Sequence, residues 1–114
     1  MLMDDFLTAD ASLPLITCDQ LRDELLIYNL NSRAQICLQN QFINLTGKEI
    51  SPQSKITELS GGQKVILMVL LALNSPAPRI LFVNIMQSLD PLRRSDVQAL
   101  IDSSPKQIVV EDRS

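Results

Sequence analysis

Residues Leu59-Ser60-Gly61-Gly62-Gln63, followed by Lys64, are the stretch of this 114-residue chain whose types and spacing point most directly to chemistry. Adjacent glycines let a backbone approach an anion closely, because no Cβ stands in the way. An apolar run starts at Val65, so a helix is expected to begin at these glycines. Its free N–H groups and positive dipole end would then point at the same place. The Ser60 hydroxyl adds a donor, and the Gln63 amide can hold neighbouring polar groups. Together these make a phosphate-recognition geometry, where an isolated Ser-Gly-Gly would read only as a capped helix start.

Other chemistries are poorly served. The chain has no histidine, which removes any His-based triad or general base, and its two cysteines, Cys18 and Cys37, carry no metal-ligand spacing. No metal site and no catalytic residue is assigned; both thiols read as small, reduced, partly buried side chains. Asp19, Asp23 and Glu24 look like the solvated start of a helix. A phosphate-binding loop of the form GxxxxGK[ST] is absent. The nearest approach, Thr46-Gly47-Lys48, has Phe42 where the first glycine belongs and Glu49 in place of the hydroxyl residue. A net charge of −3 without a basic cluster argues against direct nucleic-acid binding. The acidic start, Met1-Leu2-Met3-Asp4-Asp5, lacks a basic leader region, and the apolar run Val65–Leu73 falls well short of the ~20 residues a membrane span needs. The expected location is cytoplasmic, with membrane association only through a partner.

The elements that must position the glycine pair follow from periodicity. The first seven residues and Leu13–Thr17 are extended candidates. Asp19 is expected to cap a helix that places Leu21, Leu25, Leu26 and Leu30 on one face. A second helix spans Ser32 to about Leu45, with Ala34, Cys37, Leu38 and Ile43 on its apolar side and Gly47 as its C-cap. Ile50–Ile56 reads as loop. Ser60 caps a third helix to about Leu73, apolar nearly all round and therefore in need of cover on most sides. Asn74-Ser75-Pro76-Ala77-Pro78 stops it, and Ile80–Ile85 has the length and composition of a buried parallel strand. Asp90-Pro91 opens a fourth helix to about Ile101, and Lys106–Val110 reads as a final buried strand. This order favours an α/β fold with the last two strands as parallel neighbours.

The Leu59–Gln63 pentapeptide is the signature motif of ATP-binding cassette (ABC) ATPases, and the chain resembles that family at further points. Leu21-Arg22-Asp23-Glu24-Leu25 resembles the start of its helical subdomain. Arg79-Ile80-Leu81-Phe82-Val83 resembles the Walker B strand, Ser88-Leu89-Asp90 the D-loop, and Ile108-Val109-Val110 the strand leading to the H-loop. The spacing from Gln63 to Asp90 is that of transporter-type cassettes. The head lobe of SMC chromosome and DNA-repair proteins is a second, weaker resemblance, carried by Ser75-Pro76-Ala77-Pro78 and the apolar signature helix.

The resemblance implies a partial P-loop-NTPase-like domain: one unit over 1–114, with a strand and helical subdomain in 1–58 and the signature helix, Walker B strand, D-loop, last helix and last strand in 59–114. It also implies that Ser60, Gly61, Gly62 and Gln63 contact nucleotide held by another subunit, with Ser88, Leu89 and Asp90 at the interface. The departures matter as much. The Walker B carboxylate and the glutamate after it fall on Val83 and Asn84 in one register, or on Asn84 and Ile85 in another. Neither carries an acid. The H-loop histidine is replaced, with Glu111 or Asp112 near its position, and the Q-loop glutamine would fall around Asp10. The resemblance therefore implies an accessory subunit with no cofactor of its own, with ATP and magnesium held by a partner. That partner would be a complete ABC-type ATPase or a second copy, reaching a membrane permease only through the partner. A protein-interaction module and a gene remnant are the alternatives. Apolar surface is expected to remain exposed near the signature helix or on the outer face of the Val83 strand.

Overall fold

The computed structural model describes residues 6–12 and 19–113. Strand β1 (Phe6–Asp10) is followed by helices α1 (Leu21–Ile27) and α2 (Ser32–Thr46), a short 3-10 turn at Ile56–Glu58, and helix α3 (Gly61–Asn74). Strand β2 (Arg79–Val83), helix α4 (Pro91–Ser103) and strand β3 (Gln107–Glu111) complete the chain. The fold is α/β, with a wholly parallel sheet in the order β1-β2-β3. Ile80 pairs with Leu7 on one side and Ile108 on the other. The expected parallel pairing of the last two strands is present. The first strand begins later than expected, at Phe6, and Leu13–Thr17 lies outside the described residues.

Helix α3 lies at the centre of the core. Its residues Val65 to Ala72 are all buried, covered by α2, β1, β2 and α4. A helix this apolar is stable only when no face meets water, and the sheet and two helices meet that need. Neither Val65–Ala72 nor Val83 on the central strand, which is 0% exposed, contributes to the apolar surface expected near this helix and strand. Among the described residues, the exposed large apolar side chains lie elsewhere: Leu26 and Ile27 on α1, Ile36 and Ile43 on α2, Leu92, and Val109 and Val110 on β3. The last strand is thus an exposed edge rather than the buried strand its composition suggests, because among the described residues it pairs with β2 alone.

Local chemistry sets the helix ends. Asn31 caps α2, its Oδ1 accepting from the Ala34 N–H at 2.9 Å. Gly47 ends the helix at φ 75°, with its N–H donating to the Ile43 carbonyl. A left-handed C-cap is where glycine costs least. Asp19 does not cap α1. The first N–H groups of that helix, at Leu21 and Arg22, donate instead to the carbonyls of Ser54 and Pro52. A tertiary contact has replaced a local cap, and it ties the Ser51–Lys55 loop to α1.

The buried faces also differ in detail from periodicity. Leu21 and Leu25 are buried on α1, but Leu26 is 75% exposed. Glu24, three residues after Leu21, turns inward with them and is buried rather than solvated. It helps raise the Tyr28 hydroxyl pKa above its ordinary value, second to the burial of Tyr28 itself. On α2 the packing face runs through Ala34, Leu38 and Phe42, leaving Cys37 and Ile43 exposed.

Leu70→Ala, which empties a fully buried site at the centre of α3, is expected to cost about 3–5 kcal/mol in urea unfolding. Gly47→Ala meets open space, so only its backbone conformation is penalised, by about 1–2 kcal/mol. Because the folded Tyr28 pKa is raised, its contribution to stability is present below the ordinary tyrosine range and is lost as pH rises through the folded value. Tyr28→Phe should flatten that alkaline decline in a pH series of melting curves.

Candidate functional site

The signature residues are shaped by the helix they start. Ser60 is the N-cap of α3 and forms a capping box with Gln63. The Ser60 Oγ accepts from the Gln63 N–H at 3.2 Å, and the Gln63 Oε1 accepts from the Ser60 N–H at 3.0 Å. The first intrahelical bond runs from the Lys64 N–H to the Ser60 carbonyl. Of the unpaired donors that open a helix, the N–H groups of Gly61 and Gly62 remain without a partner among the described residues. Gln63 commits its Oε1 to the cap, which leaves the Nε2 group as the part of its amide that can hold other groups.

The second half of the site is the start of α4. Asp90 caps it, its Oδ1 accepting from the Arg93 N–H at 2.8 Å, with Pro91 at the first helical position. Leu89 is 4% exposed and anchors the turn in the core. The Arg94 Nε donates to the Met86 carbonyl at 2.9 Å, closing the turn from the other side. Ser88 and Asp90 stay exposed.

These two helix starts border one cleft of about 210 Å³, lined by Thr46, Ser60, Gly62, Gln63, Ile66, Ser88, Leu89, Asp90 and Arg93. The seven sequence-predicted residues are thus brought to one place, with Gly61 adjoining rather than lining it. Gly62 packs closely on the other helix start: a Cβ there would stand 3.4 Å from the Ser88 carbonyl oxygen, about contact distance. No Cβ clash exists at Gly61. Thr46, Ile66 and Arg93 join the lining without having been singled out as site residues. Arg93 could have been found, since it sits one turn from Asp90. Nothing local marks Thr46, whose Oγ1 donates to the Phe42 carbonyl at 2.8 Å and accepts from the Lys48 N–H at 3.1 Å. Its place depends on how α2 packs against α3.

The electrostatics are mixed. Two helix N-termini and the Arg93 guanidinium favour an anion, and the Asp90 carboxylate opposes one. Arg93 is partly neutralised by Asp96, 3.3 Å away.

The position at the end of β2 where the family resemblance puts an acid holds Asn84. Asn84 has φ 60° and is 8% exposed. Its N–H donates to the Glu111 carbonyl at 2.9 Å. Its Oδ1 accepts from the Arg113 N–H at 2.6 Å and from the Gln87 Nε2 at 3.3 Å. Gln87 Nε2 also donates to the Asp112 Oδ1 at 2.7 Å. Asn84 is therefore a buried cross-link between the β2 turn and the residues after β3. Val83 and Ile85 are 0% exposed, so neither alternative register offers a polar group to the cleft. Glu111 and Asp112 do not line it either. Asp10 is turned to Ser12, whose hydroxyl and N–H both donate to its Oδ1 and hold its pKa below the ordinary value. Among the described residues there is no group of three or more His, Cys, Asp or Glu placed to hold a metal. None of the described helices is long and apolar enough to cross a membrane.

Three solved structures share this architecture. The ATP-binding subunit of an ABC transporter superposes with a TM-score of 0.72 at 15% identity, over 93% of this chain and 48% of that one. A bacterial Atm1-family ABC exporter with ATP bound gives 0.70 at 12% identity, over 92% of this chain and 20% of that one. A metal-chelate type ABC transporter in an inward-facing conformation gives 0.65 at 19% identity, over 93% and 47%. The fold is that of part of an ABC transporter ATPase domain, and the chain spans less than half the length of each of these chains. No family model matches the sequence, nor does any curated protein.

Asn84→Leu removes the acceptor for the Arg113 N–H and places a branched side chain at positive φ. It is expected to cost about 2–4 kcal/mol in denaturant unfolding. Ser60→Ala should cost about 1 kcal/mol, the worth of one cap, and Gly61→Ala should leave stability nearly unchanged. Equal effects at 60, 61 and 84 would refute this ranking.

Proposed function

We propose that this chain is a catalytically incomplete ABC ATPase-like unit, which offers its α3 N-terminus to nucleotide phosphate held by a complete ATPase subunit of a transporter-type assembly. One observation carries the reading: the free N–H donors of Gly61 and Gly62 stand beside a cleft shared with Asp90 and Arg93, while the strand-end position that should bear the catalytic acids is filled by the structurally committed Asn84. Phosphoryl transfer needs a carboxylate-held magnesium and a group that orients the attacking water. Without either at the end of β2, the residues here can orient and neutralise a phosphate but cannot drive its transfer. Ser60 Oγ, though engaged as an acceptor in the cap, retains a hydroxyl proton to donate.

In this proposal the chain has no cofactor of its own, since ATP and magnesium belong to the partner, and it approaches a membrane only through that partner. The transporter-type reading is favoured over the chromosome-protein one by the identity of the structural neighbours. A plain interaction module would keep the fold and make no use of the glycines.

The purified chain is expected to show no magnesium-dependent ATP hydrolysis above a Ser60→Ala control, and to associate with a complete ABC-type ATPase more strongly when ATP is present. Gly62→Leu, which would crowd the cleft against Ser88, should abolish the ATP-dependent part of that association. Hydrolysis that follows the chain through purification would overturn the proposal. Association indifferent to both ATP and Gly62→Leu would instead favour the interaction module.

A further inference from the structure

Among the described residues the outer edge of β3 is open, and it is chemically patterned. The Gln107 N–H donates to the Pro78 carbonyl at 3.0 Å, and at the other end the Asn84 N–H donates to the Glu111 carbonyl at 2.9 Å. In a parallel ladder these directions alternate, so Gln107, Val109 and Glu111 turn their backbone groups to β2. Ile108, Val110 and Asp112 turn theirs outward, where no described element lies beyond β3. Val109 and Val110 are 38% and 40% exposed, one on each face of the sheet. The usual protections of an edge are missing: the strand has no proline, no interruption of its register and no lysine within it. The neighbouring Lys106 is turned inward, its Nζ donating to the carbonyls of Ser75 and Ala77.

We propose that this edge is self-complementary, and that two copies of the chain pair β3 to β3 in antiparallel fashion about Val109, joining two three-stranded sheets into one. An antiparallel pair must set outward-facing residues opposite outward-facing residues, which leaves three registers centred in the strand. Centring on Ile108 would set Val110 against the partner's Lys106. Centring on Val110 would set Ile108 against the partner's Asp112. Centring on Val109 sets Ile108 against the partner's Val110 and Val109 against the partner's Val109. It also sets Gln107 against the partner's Glu111, and places Asp112 opposite the partner's Lys106, whose Nζ stays on its own Ser75 and Ala77 carbonyls. Only this register matches apolar with apolar throughout and opposes no like charges. The central Val109 pair is then a non-hydrogen-bonded one, where side chains are closest. The contact is isologous, as a two-fold interface requires. Its area is that of one short strand pair, well below the ~1,200 Å² of a standard interface, so the association is weak and concentration-dependent. None of its residues lines the signature cleft, so the pairing stands or falls independently of the nucleotide proposal.

Sedimentation velocity on the chain over a dilution series tests this, with circular dichroism to verify folding. The wild type is expected to move from monomer to dimer as concentration rises. Val110→Pro removes an outward N–H and no ladder bond to β2, and should leave a folded monomer. Val109→Lys and Val109→Glu, at an exposed side chain, should each weaken self-association several-fold by setting like charges opposite one another. Mixing the two should restore a dimer. A chain that stays monomeric at every concentration, or a dimer that survives Val110→Pro, would overturn the proposal. So would a mixture of the Lys and Glu variants that associates no better than either alone, because only the Val109-centred register pairs that residue with itself.

Discussion

The structure depends on burying one helix. From Val65 to Ala72, α3 has no polar residue and no exposed one, so it can exist only where other elements enclose it. That requirement places α2 on one side, the sheet on another and α4 on a third. It also fixes where the N-terminus of α3 emerges. The helix is too apolar to tilt or slide without exposing a leucine or isoleucine, and each such side chain is worth about 1.5–3 kcal/mol of burial. The glycines at its start are therefore held by the core rather than by the loop they belong to.

The same logic explains the second wall of the cleft. Leu89 is anchored in the core while Ser88 and Asp90 on either side remain at the surface. The turn from β2 to α4 is thus pinned by one apolar side chain, by the Arg94 bond to Met86 and by the Asp90 cap. A Cβ at Gly62 would reach contact distance of the Ser88 carbonyl, so the two helix starts pack directly side by side. Residues twenty-six apart in sequence become opposite sides of one small hollow.

Asn84 shows a position adapted to hold the fold. An aspartate or glutamate with free oxygens could serve a metal. This asparagine spends its N–H on Glu111 and its Oδ1 on Arg113 and Gln87. It also takes up the left-handed conformation that Asn tolerates better than branched residues do. Its backbone N–H and side-chain oxygen are satisfied inside the molecule, which is what burial demands. The bonds to Glu111 and Arg113 tie the residues after β3 to the central strand, and so help to keep the exposed edge strand in register.

Much of this was legible in the sequence wherever a feature depends on near neighbours. Ser60 and Gln63 lie three apart, so the cap of α3 could be read directly, as could the Asp90-Pro91 start of α4 and the Gly47 stop of α2. The short apolar runs at 80–83 and 108–110 announced parallel strands. What the sequence could not settle is which apolar side chains are covered. Leu26, Cys37 and Ile43 look like core residues by type and period, yet they face outward, while Glu24 and Phe42 face in, because a helix chooses its inner face by what packs against it. Composition likewise read β3 as buried, whereas its burial depends on how many strands lie beyond it. The cap of α1 passed from Asp19 to the carbonyls of Pro52 and Ser54, and Thr46 reached the cleft only through the docking of α2. Local hydrogen bonds and backbone freedom are fixed by residues close in sequence; exposure, cleft membership and the partners of Asn84 arise between segments distant in the chain, and only the tertiary structure decides them.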